Sequence, residues 1–345
     1  MNRLALLLPF LAPFLLFPPA LAQQPGGGLA LPPEAAPRFD PGALILPPEN
    51  AAPANVGAPP PAVAIPRAAA SQPGSADLGL QRPVSVKRRG FDYFIGFDSR
   101  IFYSSNPSLS QTNDPLEIPA GIFQNNLHTG FRLGSYNLGR AAFSPYIGAS
   151  YARFDHFGDK SLNAFDYSTL GAYGFGLLQF SNGWAIRAGL SYYQDRESNE
   201  GERLYDEIAP GLTLLKTFSF GKAVSVVDFG VHHHFSDSVA YSGLGFEDAL
   251  DRTEYAARWT LTTHLGPIEL SPYARIAFLD YRNGNQADRT DLMREFGLSL
   301  EYPINDYISA SLFARYLSRL SKGGPASYDF ERFDGGAGAS IHAKF

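Results

Sequence analysis

Residues 333 to 345 alternate from end to end. Phe333, Gly335, Ala337, Ala339, Ile341, Ala343 and Phe345 take one set of positions, and Asp334, Gly336, Gly338, Ser340, His342 and Lys344 take the other. Successive side chains of a strand point to opposite faces, so as a strand this stretch is apolar on one side and polar on the other. The same period recurs upstream. Phe91, Tyr93, Ile95 and Phe97 stand against Asp92, Gly96, Asp98 and Arg100; Phe123, Leu127, Phe131 and Leu133 stand against Gln124, Asn126, His128 and Arg132. Further strands are expected near 143 to 155, 166 to 180, 184 to 195, 205 to 217, 223 to 235, 253 to 265, 269 to 281, 291 to 302, 307 to 318 and 330 to 345, about twelve in all. The stretch near 166 to 180 has small or apolar residues on both faces, so its register stays open.

The other end of the chain is of a different kind. Met1-Asn2-Arg3 precedes an apolar run from Leu4 to Leu16 and an Ala20-Leu21-Ala22 end, the pattern of a secretory signal peptide over residues 1 to 22. Pro9 and Pro13 interrupt the run, which is short for a membrane span. Of the chain's 27 prolines, 14 fall between residues 23 and 88, a stretch whose only aromatic is Phe39. Such a segment buries too little apolar surface to offset the entropy of ordering, so 23 to 88 is expected to be a disordered, Pro-rich linker. It is either a tether reaching a periplasmic partner or a plain spacer.

The alternating part then runs from 89 to 345. No stretch beyond the leader approaches about 18 apolar residues in a row, and the mean hydropathy is -0.13. Helical spans are therefore excluded, and a membrane location requires a closed barrel, the other structure that satisfies every backbone group in lipid. With 28 basic against 33 acidic residues there is no basic excess for nucleic acid, and with 0 cysteines there is no disulfide or thiolate site.

Connection lengths give an independent signal. Ser181-Asn182-Gly183, Gly266-Pro267 and Pro303-Ile304-Asn305-Asp306 are tight turns. Between them fall longer polar connections at 104 to 120, 156 to 165, 196 to 204, 236 to 252, 282 to 290 and 319 to 329. Phe143, Tyr146, Trp184, Phe218, Phe220, Tyr273, Tyr302, Tyr307 and Phe345 lie near the short-turn ends, where an interfacial girdle belongs, and Tyr103, Tyr151, Tyr192, Tyr255 and Phe278 form its counterpart. Pro145, Pro210 and Pro272 fall inside expected strands and each removes a ladder hydrogen bond. The first two-strand positions, Pro145 and Pro272, follow short turns; Pro210 has no such excuse.

An alternating terminal strand that closes on Phe345, with Ala343 and Ile341 on the same face, resembles the C-terminal insertion signal of bacterial outer-membrane β-barrels. Alternating short turns and long loops belong to the same resemblance. It implies an all-β fold, a transmembrane antiparallel up-and-down barrel in the outer membrane of a Gram-negative bacterium, porin-like and without a more specific family. It also implies outer-membrane lipids and the barrel assembly machinery as partners, with both chain ends periplasmic.

With the apolar faces toward lipid, the expected lumen lining is Asp92, Asp98, Arg100, Arg132, Arg187, Glu207, Asp228, His232, His234, Glu254, Arg258, Arg275, Glu295, Glu301, Arg315, Asp334 and Lys344, nearly balanced in charge. A balanced interior serves either as a salt-bridged filling or as a narrow solute path. The function expected is passive passage of small solutes or a structural place in the membrane. Two alternatives come from other classes. His234-x-Ser236 resembles the His-x-Ser of outer-membrane phospholipases and lipid A deacylases, in which an imidazole activates a serine for acyl transfer. Here, however, the alternation turns the pair into the lumen, and Asp237-Ser238 replaces the usual Asn-Gly. The other alternative is a secretion or envelope-assembly component acting through the linker. His232 and His234 with Asp228 also hold metal donors, yet no metal and no cofactor is expected.

Overall fold

The computed structural model describes residues 92–109, 118–198, 201–238, 248–323 and 329–344. The expected signal peptide, the linker and Phe345 lie outside them. The strands are β1 (Asp92–Ser104), β2 (Ala120–Arg132), β3 (Tyr136–Asn137), β4 (Ala141–Phe157), β5 (Tyr167–Phe180), β6 (Trp184–Glu197), β7 (Arg203–Phe220), β8 (Ala223–Ser238), β9 (Arg252–Leu265), β10 (Ile268–Tyr281), β11 (Thr290–Pro303), β12 (Ile308–Lys322) and β13 (Phe330–Lys344). Apart from the two-residue β3, these are the twelve long strands that the alternation predicts. No helix among the described residues is long and apolar enough to cross a membrane.

Each long strand pairs antiparallel with its neighbours in sequence, and β13 pairs with β1 from Phe94↔Lys344 to Ser104↔Asp334. The sheet is thereby a closed ring with no free edge, the solution lipid demands. Tight turns gather at one end. In the β5–β6 turn Gly183 adopts φ +80, open to glycine at no steric cost, and Asn182 Oδ1 accepts the Trp184 N–H at 3.3 Å. Asn305 Oδ1 accepts the N–H groups of Tyr307 and Ile308 at 2.8 and 2.9 Å before β12. β3 rides in the 133–140 connection at the same end, paired with the start of β4. The connections at 105–119, 158–166, 198–202, 239–251, 282–289 and 323–329 join the opposite ends of the strands.

Register fixes which face is which. Leu212 and Phe229, both more than half exposed, face outward, whereas their neighbour Thr213 is buried on the inner side. β5, ambiguous in sequence, turns Tyr167, Thr169, Tyr173 and Leu177 inward. Two residues expected in the interfacial girdle, Tyr146 and Tyr273, instead face the lumen: Tyr146 stacks on Phe175 and Tyr273 donates to Glu295. The Tyr273 ring lies over Gly297, where a larger residue would collide with it.

The prolines leave visible gaps. The β9–β10 pairing jumps from Leu270↔Thr263 to Tyr273↔Thr260, omitting Ser271 and Pro272. The β7–β8 pairing jumps from Ile208↔Phe235 to Gly211↔His232, omitting Ala209 and Pro210. Pro145 keeps its place because its carbonyl accepts the Leu133 N–H at 2.9 Å.

Candidate functional site

The strands are 13 to 18 residues long, whereas about 9–11 tilted residues cross a bilayer. The excess is at the loop end, where the outer face changes character. On β4 the outward series Ile147, Tyr151 gives way to Arg153 and Asp155, paired at 2.9 Å; on β7 Ile208 gives way to Asp206, paired with Arg203 at 3.1 Å. Below that line the outer face is a largely apolar belt, including Ile95, Leu127, Leu190, Leu212, Phe229, Ile276, Leu312 and Ile341, each exposed, and interrupted by Arg294, the register partner of Ile276. A closed ring of strands, apolar outside over one bilayer thickness and polar within, has a single solvent it fits. The chain is a closed, twelve-strand antiparallel β-barrel of the membrane-spanning type. Ile341 and Ala343 of the terminal strand lie on its lipid face.

The inner wall of this barrel carries the charges in register. At the short-turn end Asp92 pairs with Arg132, Arg187 donates to Thr213 Oγ1 at 3.4 Å, Glu301 stands opposite Glu269, and Lys344 holds the register position opposite Phe94. Further in, Asp98 lies 3.4 Å from His128 Nδ1 and accepts from Asn126 at 3.3 Å, and the Arg100 guanidinium sits 5.6 Å from the Phe313 ring centre. Asp228, Arg258, Arg275 and Glu295 form one row across β8 to β11. Its charges run minus, plus, plus, minus. Arg275 also donates to Glu254 at 2.6 Å.

At the loop end the inner wall becomes a packed layer. Asp334 holds two arginines, Arg315 at 3.1 Å through Nε and Arg332 at 2.7 Å. Arg289, fully buried, pairs with Asp291, donates to Gln286 Oε1 at 2.9 Å and lies over the Tyr281 ring. Glu207 accepts from Tyr205 Oη at 2.6 Å and from Arg252 at 3.1 Å. Arg252 also donates to the carbonyl of Leu250 at 3.1 Å. Ala249 and Leu250 are wholly buried against Tyr205, Ala277, Leu279 and Tyr281, so the Asp248–Asp251 turn folds into the mouth rather than away from it. Asp251 fixes that turn by accepting the Ser236 N–H and hydroxyl at 2.6 and 3.0 Å and the Asn283 amide at 3.0 Å.

The alternation points to Glu207, Glu254 and Asp334 but misses Arg252, Arg332, Asp291 and Tyr205. Tyr205, Asp291 and Arg332 fall at or near the ends of expected strands and Arg252 one residue before one, all at the same parity as the residues it points to; carrying the period to the strand ends finds them.

His232 and His234 both face inward. His232 Nδ1 lies 3.9 Å from Glu254, and His234 Nδ1 lies 3.1 Å from Glu207, although neither His234 nitrogen is aligned for a hydrogen bond among the described residues. Ser236 gives its proton to Asp251, not to His234, and stands on the lumen side. An acyl-transfer dyad at the lipid surface is therefore not favoured. Among the described residues no group of three or more His, Asp or Glu side chains is disposed to hold a metal.

No protein-family model matches the chain. No curated protein matches it. Among solved structures it is similar to an outer membrane channel from Pseudomonas putida F1, 12% identical, covering 78% of this chain and 100% of that one with a TM-score of 0.41. It is also similar to the NanC porin, 13% identical, covering 71% of this chain and 98% of that one with a TM-score of 0.41. A third is the β domain of the Bordetella autotransporter BrkA, 12% identical, covering 72% and 98% with a TM-score of 0.38.

Proposed function

We propose that the protein is a passive channel for small polar solutes, shut at its loop end in the conformation described. The observation that carries this reading is the contrast in exposure between two ion pairs on the inner wall, one at each end of the barrel. Asp92 and Arg132 at the short-turn end are 30% and 28% exposed, and the Arg289 and Asp291 side chains at the loop end are 0% exposed. At the short-turn half the same wall also carries a buried apolar cluster of Tyr146, Tyr173, Leu177 and Leu215, which narrows the lumen there. The closure is made of ion pairs and a short turn, contacts that separate more readily than an apolar core. Near-balanced charge along the wall argues for weak ion selectivity once the end opens.

The test is conductance in planar bilayers. The unmodified protein is expected to be nearly silent at neutral pH. Arg252→Ala, which frees Glu207 and the Leu250 carbonyl, is expected to give discrete steps. Silence from both, with the variant folded by heat-modified mobility, would leave a structural barrel as the reading.

A further inference from the structure

The histidine pair on β8 sits directly beneath the turn that closes the mouth. His232 and His234 project from the same face of the strand, with ring centres 6.4 Å apart. Around them stand Tyr205 and Glu207 from β7, Asp228 from β8 itself, Arg252, Glu254 and Arg258 from β9, Arg275 and Tyr281 from β10, and Asp251 from the turn. Asp228 and Arg258 are direct register partners one row down, and Asp251 is engaged by Ser236 and Asn283. The groups closest to the rings are two carboxylates, Glu207 and Glu254, which also meet two guanidinium groups, Arg252 and Arg275.

With both imidazoles neutral, this inner group has two positive and two negative charges. Protonating both adds two positive charges where Glu207, Arg252 and Tyr205 are nearly excluded from water. Uncompensated charge in such a place is costly, and the relief available is to let water in. Glu207 is the weak point. One of its oxygens already serves Arg252 and Tyr205, and the other faces His234. A charged His234 draws that carboxylate away from Arg252, and Arg252 is the residue that grips Leu250. The backbone at this place is also loosely held, because the β7–β8 pairing lapses at Ala209 and Pro210, beside His234.

We infer that His232 and His234 form an acid-sensitive latch: their protonation releases the Asp248–Asp251 turn and opens the loop end of the lumen. This rests on the channel reading above. Histidine is the side chain that changes charge between about pH 5 and 8, so the latch answers to acidification of the cell's surroundings. Glu207 links His234 to the turn through Arg252, while His232 acts beside it on Glu254, and the charge of Glu207 must persist for the latch to hold.

Two measurements separate the latch from the channel. The chain has 0 cysteines, so Leu250→Cys introduces a unique thiol into the closed mouth. A bulky water-soluble maleimide is expected to leave it unmodified near pH 8 and, with rates corrected for thiolate fraction using a free thiol, to label it about tenfold faster near pH 5. Combining Leu250→Cys with His232→Gln and His234→Gln is expected to abolish that acceleration. Acid labelling that stays flat in the unmodified background, or persists in the double glutamine variant, overturns the latch. Bilayer conductance is the second reading, expected to rise about tenfold over the same pH span and to stay low in the glutamine variant. Acid-accelerated labelling without conductance would keep the latch and remove the channel. Conductance from Arg252→Ala with flat labelling would do the reverse. Heat-modified mobility establishes that each variant is folded.

Discussion

The imidazole of His232 on β8 lies across Gly211 on β7, so that a Cβ built at Gly211 would overlap the ring. The two residues are register partners, and the next two positions of β7 toward the loop end have lost their pairing to β8. A side chain at 211 thus has no room without moving the histidine ring.

Gly211→Val is expected to destabilise the barrel by about 1–3 kcal/mol through overpacking. Urea unfolding followed by tryptophan emission reads this, since the chain has 2 tryptophans, Trp184 and Trp259. An unchanged midpoint would mean that the ring can leave the glycine freely.

Asp334→Asn removes the negative charge shared by Arg315 and Arg332, 14% and 3% exposed, and turns one of its two acceptor oxygens into an N–H donor. Loss of one partner from a buried ion group costs about 3–5 kcal/mol, and the residual contact of Arg315 with Glu295 at 3.8 Å should place the effect toward the lower figure. Arg153→Ala, which breaks an exposed pair on the outer face, is expected to cost no more than about 1 kcal/mol. Equal effects from the two variants would contradict the packing described for the loop end.

Leu212 sits in the middle of the apolar belt and is more than half exposed. Leu212→Arg is expected to cost about 2–4 kcal/mol in folding into lipid vesicles. Thr213→Arg, one residue on but turned inward, meets no lipid; its effect should come from crowding alone and should not depend on bilayer thickness. A thickness dependence of the Thr213 variant would invert the assignment of faces.

Ser236→Ala should leave any phospholipid esterase activity of the preparation unchanged, because the hydroxyl is spent on Asp251. Its expected cost is about 1 kcal/mol of stability, the usual worth of one hydrogen bond. Loss of a genuine, reproducible esterase activity would revive the hydrolase reading.

The existence and number of the strands were legible because a period of two is imposed on every residue that separates lipid from water, and the belt enforces it over twelve strands. Asp98, Arg258 and Glu295 could be placed inside on parity alone. Tyr146 and Tyr273 were misplaced because an aromatic near a turn suits an interface as well as a lumen, and only the register of β4 and β10 decides between them. The inward fold of Ala249 and Leu250 was not legible: a turn between two strands carries no period. What draws it in is the side chains of Tyr205, Arg252 and Tyr281, which approach one another only when the ring is complete.

Because β1 and β13 are neighbours in the ring although they are the most distant strands along the chain, the structure cannot be accumulated hairpin by hairpin to a stable halfway point. Any incomplete sheet presents two bare edges, each a template for a foreign strand. The seam through Ile101 and Ala337 therefore removes both edges at once, and a sheet lacking one hairpin would not bring these partners together in this register.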